Sequence, residues 1–122
     1  MILIWVGLGG ALGSCLRYLT TELCTLFLGK YFPYGTLAVN LIGCALIGLA
    51  IGAIENGWLS AYPWKPLLVF GFLGGLTTFS SFSMDNFILI EQGYVLKALF
   101  NIGLNVGLGL AAVSVSYYYF KH

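Results

Sequence analysis

The sequence predicts an all-α integral membrane protein of four transmembrane helices, the third of them broken, assembled as an antiparallel dual-topology homodimer. Three observations lead there. Of its 122 residues 60% are hydrophobic and only 7% are charged, whereas a soluble domain carries charge at about a quarter of its positions. Four apolar runs, at 2–28, 34–54, 66–90 and 96–120, each reach the roughly 20 residues that span a bilayer. The third run carries Gly71 to Asn86, GFLGGLTTFSSFSMDN, and a membrane helix loosened by glycines and lined with hydroxyls lines or coordinates something.

The four runs make one transmembrane domain over residues 1–122, with no soluble domain expected beside it. No positive region precedes the first run, so it does not read as a cleavable signal. Cys15, Cys24 and Cys44 follow no metal-ligand spacing and, being odd in number, give no disulfide framework; they read as small packing residues. A net charge of +1 argues against a nucleic-acid partner, which needs clustered Lys and Arg. The one histidine is His122, and no positioned acid or base suggests an enzyme.

Lys and Arg in short loops set orientation in the membrane. Four spans put Lys65 and Lys121 on one side and Lys30, Lys97 and, at the fringe of the first span, Arg17 on the other. The near tie predicts insertion both ways round. Four short helices also have little room to enclose a polar pathway, and an antiparallel homodimer about a two-fold axis in the membrane plane answers both points.

In the first span Gly9, Gly13 and Arg17 lie four apart on one stripe. Small residues at that spacing let backbones approach, so the stripe faces protein. Arg17 sits about 22 Å along the axis, near the far end of the hydrocarbon. It either faces a wet cavity or partner or snorkels to the interface near Glu22. A turn with Lys30 and Pro33 leads to the second span, where Thr36, Asn40, Gly43 and Ile47 share a face. Asn40 is the single amide of that helix and must have a partner, either a neighbouring helix or a permeating species that takes its N–H. Gly48 and Gly52 form a further small pair for packing.

The loop from Glu55 to Lys65 holds Trp58, Tyr62 and Trp64, which fit an interfacial aromatic belt. Pro66 suits the first turn of the third helix, and Gly74-Gly75-Leu76-Thr77-Thr78 interrupts it. Carbonyls freed at such a break are the usual cation ligands of broken transmembrane helices. If helix resumes after Thr78, about 100° per residue places Phe79, Phe82, Ser80 and Ser83 within an arc of about 160°, with Ser81 and Asp85 pointing the other way. Ring edges and hydroxyl donors suit an anion better than a cation. Asp85 falls near the end of the span. In the fourth span Asn101 and Asn105, and Gly103 and Gly107, read as packing pairs; Tyr117, Tyr118, Tyr119 and Lys121 read as an interface anchor.

Three blocks, GGALGSCLRY at Gly9 to Tyr18, PYGTLAVNLIG at Pro33 to Gly43 and GFLGGLTTFSSFSMD at Gly71 to Asp85, together resemble the Fluc family of small fluoride channels, also called the camphor-resistance family. The resemblance implies a dual-topology homodimer in a prokaryotic plasma or inner membrane, with two fluoride pores and a sodium ion at its centre. By matching motif positions it implies pore phenylalanines at Phe79 and Phe82, a pore asparagine at Asn40, a vestibule arginine at Arg17 and a hydroxyl track at Ser80 and Ser83. It also implies that backbone carbonyls of Gly74 and Thr77 hold the sodium. Ser14, Ser81 and Asp85 depart from the family's usual alanine, threonine and glutamate, and no role is carried over to Asp85. Asn101 and Asn105 match no family feature. The implied activity is passive export of fluoride, which lowers its cytoplasmic concentration. The rival is a small dual-topology multidrug antiporter, which needs a titratable acid at mid-membrane; none of Glu22, Glu55, Asp85 and Glu91 sits clearly in mid-span. A non-transporting assembly subunit would leave the Phe79 to Ser83 arc unexplained.

Overall fold

The structure, a computed structural model, describes residues 1–121; the side chain of Lys121, expected in the interface anchor, and His122 lie outside the described residues. Four helical spans are long and apolar enough to cross a membrane. Helix α1 is Ile2–Leu28 and α2 is Tyr34–Glu55. The third span, Ala61–Glu91, contains α3, residues 61–76, and α4, Ser80–Glu91. Helix α5 is Val95–Tyr118, followed by a 3₁₀ turn at Tyr119–Lys121.

Contacts between the ends show the spans running up and down in alternation. At one end the Trp5 indole N–H donates to the Tyr62 hydroxyl at 2.9 Å, and the Trp58 and Phe120 rings lie 6.0 Å apart. At the other end Lys97 donates to the Tyr31 carbonyl at 3.0 Å and lies 4.5 Å from the centre of the Tyr94 ring. Amphipathic rings thus gather at both ends, where headgroups meet water.

Glycine decides which helices touch. Helix α1 packs chiefly on α3, and α2 on α5. A Cβ on Gly13 would lie 2.0 Å from the Phe72 carbonyl oxygen, and one on Gly9 would lie 2.2 Å from that of Leu67. The α1 stripe therefore meets α3 backbone to backbone, as small residues four apart allow. Gly48 and Gly52 do the same for α2 against Val113, Ser116 and Tyr117 of α5. Between the pairs Val39, Leu73 and Leu76 form the small buried core, with Ile47 and Phe72 against it.

Three details refine or change the sequence expectation. Helical backbone in the third span begins a little ahead of Pro66: Tyr62 is extended at φ −111°, ψ 131°, Trp64 and Lys65 are helical, and Pro66 sits in the first turn of a π-helical segment at Lys65–Leu73, where a missing N–H is still tolerated. Within the expected stretch Gly74 to Thr78, Gly74–Leu76 is helical and Thr77 is extended at φ −84°, ψ 157°. A Cβ on Gly103 or Gly107 would meet no atom within 4 Å among the described residues, so the expected packing pair has no close neighbour there.

Candidate functional site

The site is built where α3 ends and α4 begins. The Thr77 N–H and hydroxyl both donate to the Leu73 carbonyl, at 3.0 Å and 2.9 Å, a back-bonding that bends helices, and Thr77 then turns extended. Thr78 restarts the helix, its Oγ1 accepting the Ser81 N–H at 3.1 Å as capping hydroxyls do. Helix α4 thus begins in the interior of the third span, and its N-terminal turn carries partial positive charge there. Gly43 of α2 makes room for this geometry: a Cβ on it would lie 2.1 Å from the Thr77 methyl carbon.

Asn40 holds the turn from the α2 side. Its Oδ1 accepts the Thr78 N–H at 2.9 Å, and its Nδ2 donates to the Thr78 carbonyl at 3.2 Å and to Asn105 Oδ1 at 2.9 Å. Both amide protons are engaged, so Asn40 is bonded to neighbouring segments, one of the two roles the sequence left open.

These diversions strip two carbonyls of their helical donors. In a continuous helix Gly74 O would accept from Thr78 N and Thr77 O from Ser81 N. Those N–H groups go instead to Asn40 Oδ1 and Thr78 Oγ1. Gly74 and Thr77 therefore fit the part the resemblance assigns them, as hard oxygens suited to an alkali cation. Among the described residues no three His, Cys, Asp or Glu side chains gather to offer another kind of metal site. Gly75, between them, has its carbonyl taken by Arg17 Nε at 2.9 Å.

A cavity of about 390 Å³ brings together Asn40, Gly74, Thr77, Phe79, Phe82 and Asn105. The Phe79 and Phe82 rings lie 5.8 Å apart and tilted by 46°. Phe79 is 77% exposed, so it projects away from its own chain. Five of the eight residues singled out from sequence thus line one space. Arg17 lines a second cavity, of about 360 Å³, with Ser14, Thr21, Thr36, Thr78, Ser81 and Asp85. Thr78, common to its lining and bonded to Asn40, separates the two. Ser80 and Ser83 are exposed and line neither cavity within the single chain; the Ser80 hydroxyl lies 3.2 Å from that of Thr78.

Thr78 and Asn105 were not singled out for the site. The signal for Asn105 was present in its spacing from Asn101, read as packing; Asn105 lies in a π-helical turn, Leu104–Leu108, a distortion frequent at functional positions. Asp85 also lines a cavity that reaches Gly29, Lys30 and Pro33 at the α1–α2 turn, which puts its carboxylate toward the end of the span. That position is not the mid-membrane acid an antiporter needs.

The chain matches the model of the family described as CrcB-like protein, Camphor Resistance (CrcB), over residues 4–117. It is 51% identical over 116 residues to a protein of Photobacterium profundum named fluoride-specific ion channel FluC, covering 95% of this chain and 91% of that one. Proteins of the same name in Aliivibrio salmonicida and Vibrio cholerae are 49% identical over 121 residues and 48% over 118, with 96% and 94% of their lengths matched. A family match over nearly the whole chain and relatives at about half identity place it: this chain belongs to the CrcB-like, camphor-resistance family.

Proposed function

We propose that the protein is a fluoride-selective channel that lets fluoride leave the cytoplasm passively. It is a multi-pass protein of a prokaryotic membrane, and its relatives carry the fluoride-channel name over nearly their full length. The observation that carries the mechanism is the tilted pair Phe79 and Phe82 at the N-terminal turn of α4, beside a cavity that Asn40 also lines. A helix N-terminus inside a membrane favours an anion, and ring edges present polarised C–H groups to it. Fluoride is small and tightly hydrated, so its lost water must be replaced by close donors that bind weakly enough to release it. Asn40 gives up one N–H to the ion by letting go of the Thr78 or Asn105 oxygen. A charged acceptor makes the stronger bond. The Ser80 and Ser83 hydroxyls continue the donor track on the exposed face of α4, and Arg17 draws anions into the cavity at the other side of Thr78.

The working unit is an antiparallel homodimer. Support comes from what one chain leaves open: the exposed Phe79 ring, the uncovered face at Gly103 and Gly107, and a cavity not closed by four helices. Gly74 and Thr77 carbonyls would hold a sodium ion on the two-fold axis, where two copies supply twice the oxygens. A sodium ion held by these carbonyls would offset their dipoles at the C-terminal end of α3.

Expression in bacteria deprived of their own fluoride export tests the reading. Growth restored in fluoride medium supports it. Unchanged sensitivity with the protein present in the membrane rejects it.

A further inference from the structure

Four asparagines form one unbroken chain of side-chain hydrogen bonds across three helices. Asn40 Nδ2 donates to Asn105 Oδ1 at 2.9 Å, Asn105 Nδ2 to Asn101 Oδ1 at 2.9 Å, and Asn101 Nδ2 to Asn86 Oδ1 at 2.9 Å. Backbone groups fix its direction. Asn40 Oδ1 must face the Thr78 N–H, and Asn105 Nδ2 must face the Asn101 carbonyl at 2.8 Å. Asn105 Oδ1 is then the acceptor for Asn40, and Asn101 is left with its NH₂ toward Asn86. Every amide in the row donates the same way, an arrangement in which each bond polarises the next.

The chain also closes on itself. It starts at Thr78, at the entry to α4, passes through α2 and α5, and returns to α4 at Asn86. Asn101 is fully buried and Asn86 is 7% exposed, neither lines the cavity of Phe79 and Phe82, and packing alone would be met by apolar side chains at lower cost.

We propose that Asn101 and Asn86 are positioning residues of the permeation path: through Asn105 they set the orientation of the Asn40 amide, and by gripping α4 at a second point they fix the rotation that presents Phe79 and Phe82 to the cavity. The inference rests on the channel reading above. It adds two residues that touch neither the ion nor the cavity. Replacing Asn86 with an apolar residue leaves the Asn101 NH₂ without its acceptor. Asn101 and Asn105 then re-pair, and Asn40 loses a fixed acceptor for its second proton.

The test uses Asn86→Ala and Asn101→Leu in purified full-length protein in liposomes, beside the unaltered chain. Fluoride efflux is expected to fall about tenfold, the scale of one lost buried hydrogen bond, and the fluoride-to-chloride ratio to fall with it while the protein stays monodisperse. A second measurement is independent of transport: the side-chain amide NMR signal of Asn40 is expected to shift in Asn86→Ala, although the two residues do not touch. Folded variants with unaltered rate, ratio and Asn40 signal would overturn the proposal. Should Asn101→Leu fail to fold, Asn86→Ala at the end of the row decides alone. Absence of fluoride flux from the unaltered chain would defeat the channel reading instead, and the NMR shift would still report on the row.

Discussion

Asn40 and Thr78 are bonded to each other twice, Oδ1 accepting the Thr78 N–H at 2.9 Å and Nδ2 donating to the Thr78 carbonyl at 3.2 Å. A side-chain amide has taken the place of a neighbouring peptide. The backbone thereby leaves its helix inside the third span without leaving Thr78 unsatisfied, a requirement that hydrocarbon makes strict.

Replacing Asn40 by Asp therefore acts twice. The Nδ2 that faces Thr78 O and Asn105 Oδ1 becomes an oxygen facing two oxygens, and a negative charge enters the path of an anion. Asn40→Asp is expected to abolish fluoride efflux and to destabilise the protein by about 3 kcal/mol, the scale for breaking buried polar pairs. Efflux and thermal unfolding in detergent measure the two effects; efflux retained at the unaltered rate would remove Asn40 from the mechanism.

Gly43 and Thr77 make a paired prediction. Gly43→Ala puts a Cβ 2.1 Å from the Thr77 methyl carbon and is expected to cost about 1–3 kcal/mol as overpacking does. Thr77→Ser removes that methyl and keeps the hydroxyl that bonds Leu73. The double variant should recover most of the lost stability and flux, and a purely additive result would show that the two sites do not meet.

Gly13→Ala is expected to be severe, because its Cβ would lie 2.0 Å from the Phe72 carbonyl oxygen. Gly7→Ala, with nothing within 4 Å, is the control and should melt within about 0.5 kcal/mol of the unaltered chain. Equal melting of the two variants would contradict the α1–α3 contact.

Preparing the protein without sodium, in a large organic cation, tests the carbonyl pair Gly74 and Thr77. Fluoride flux is expected to fall and to return when sodium is restored. Full activity in sodium-free conditions throughout would remove the ion from the account.

Much of this was legible in the sequence because the membrane makes two rules strict. Length and apolarity fix the spans, and i+4 glycines mark the faces that meet. Gly9, Gly13, Gly48 and Gly52 were readable in that way. Where polar side chains find partners is set by tertiary packing, so Asn40 was recognised as needing a partner without Asn105 or Thr78 being named. The turn at Thr77 and Thr78 fell at the C-terminal end of the stretch Gly74 to Thr78 marked in the sequence, because the threonine hydroxyls that bond locally outweigh glycine's low helix propensity there. Gly103 and Gly107 carried the same spacing, yet among the described residues no atom lies within 4 Å of a Cβ placed on either.

The most direct measurement is anion efflux from liposomes holding the purified protein, with Phe79→Ile and Phe82→Ile beside the unaltered chain. The account predicts rapid fluoride efflux with little chloride efflux from the unaltered protein, and strongly reduced fluoride efflux from each variant while the protein still assembles. Fluoride efflux no faster than from empty liposomes, or full rates in both variants, would contradict it.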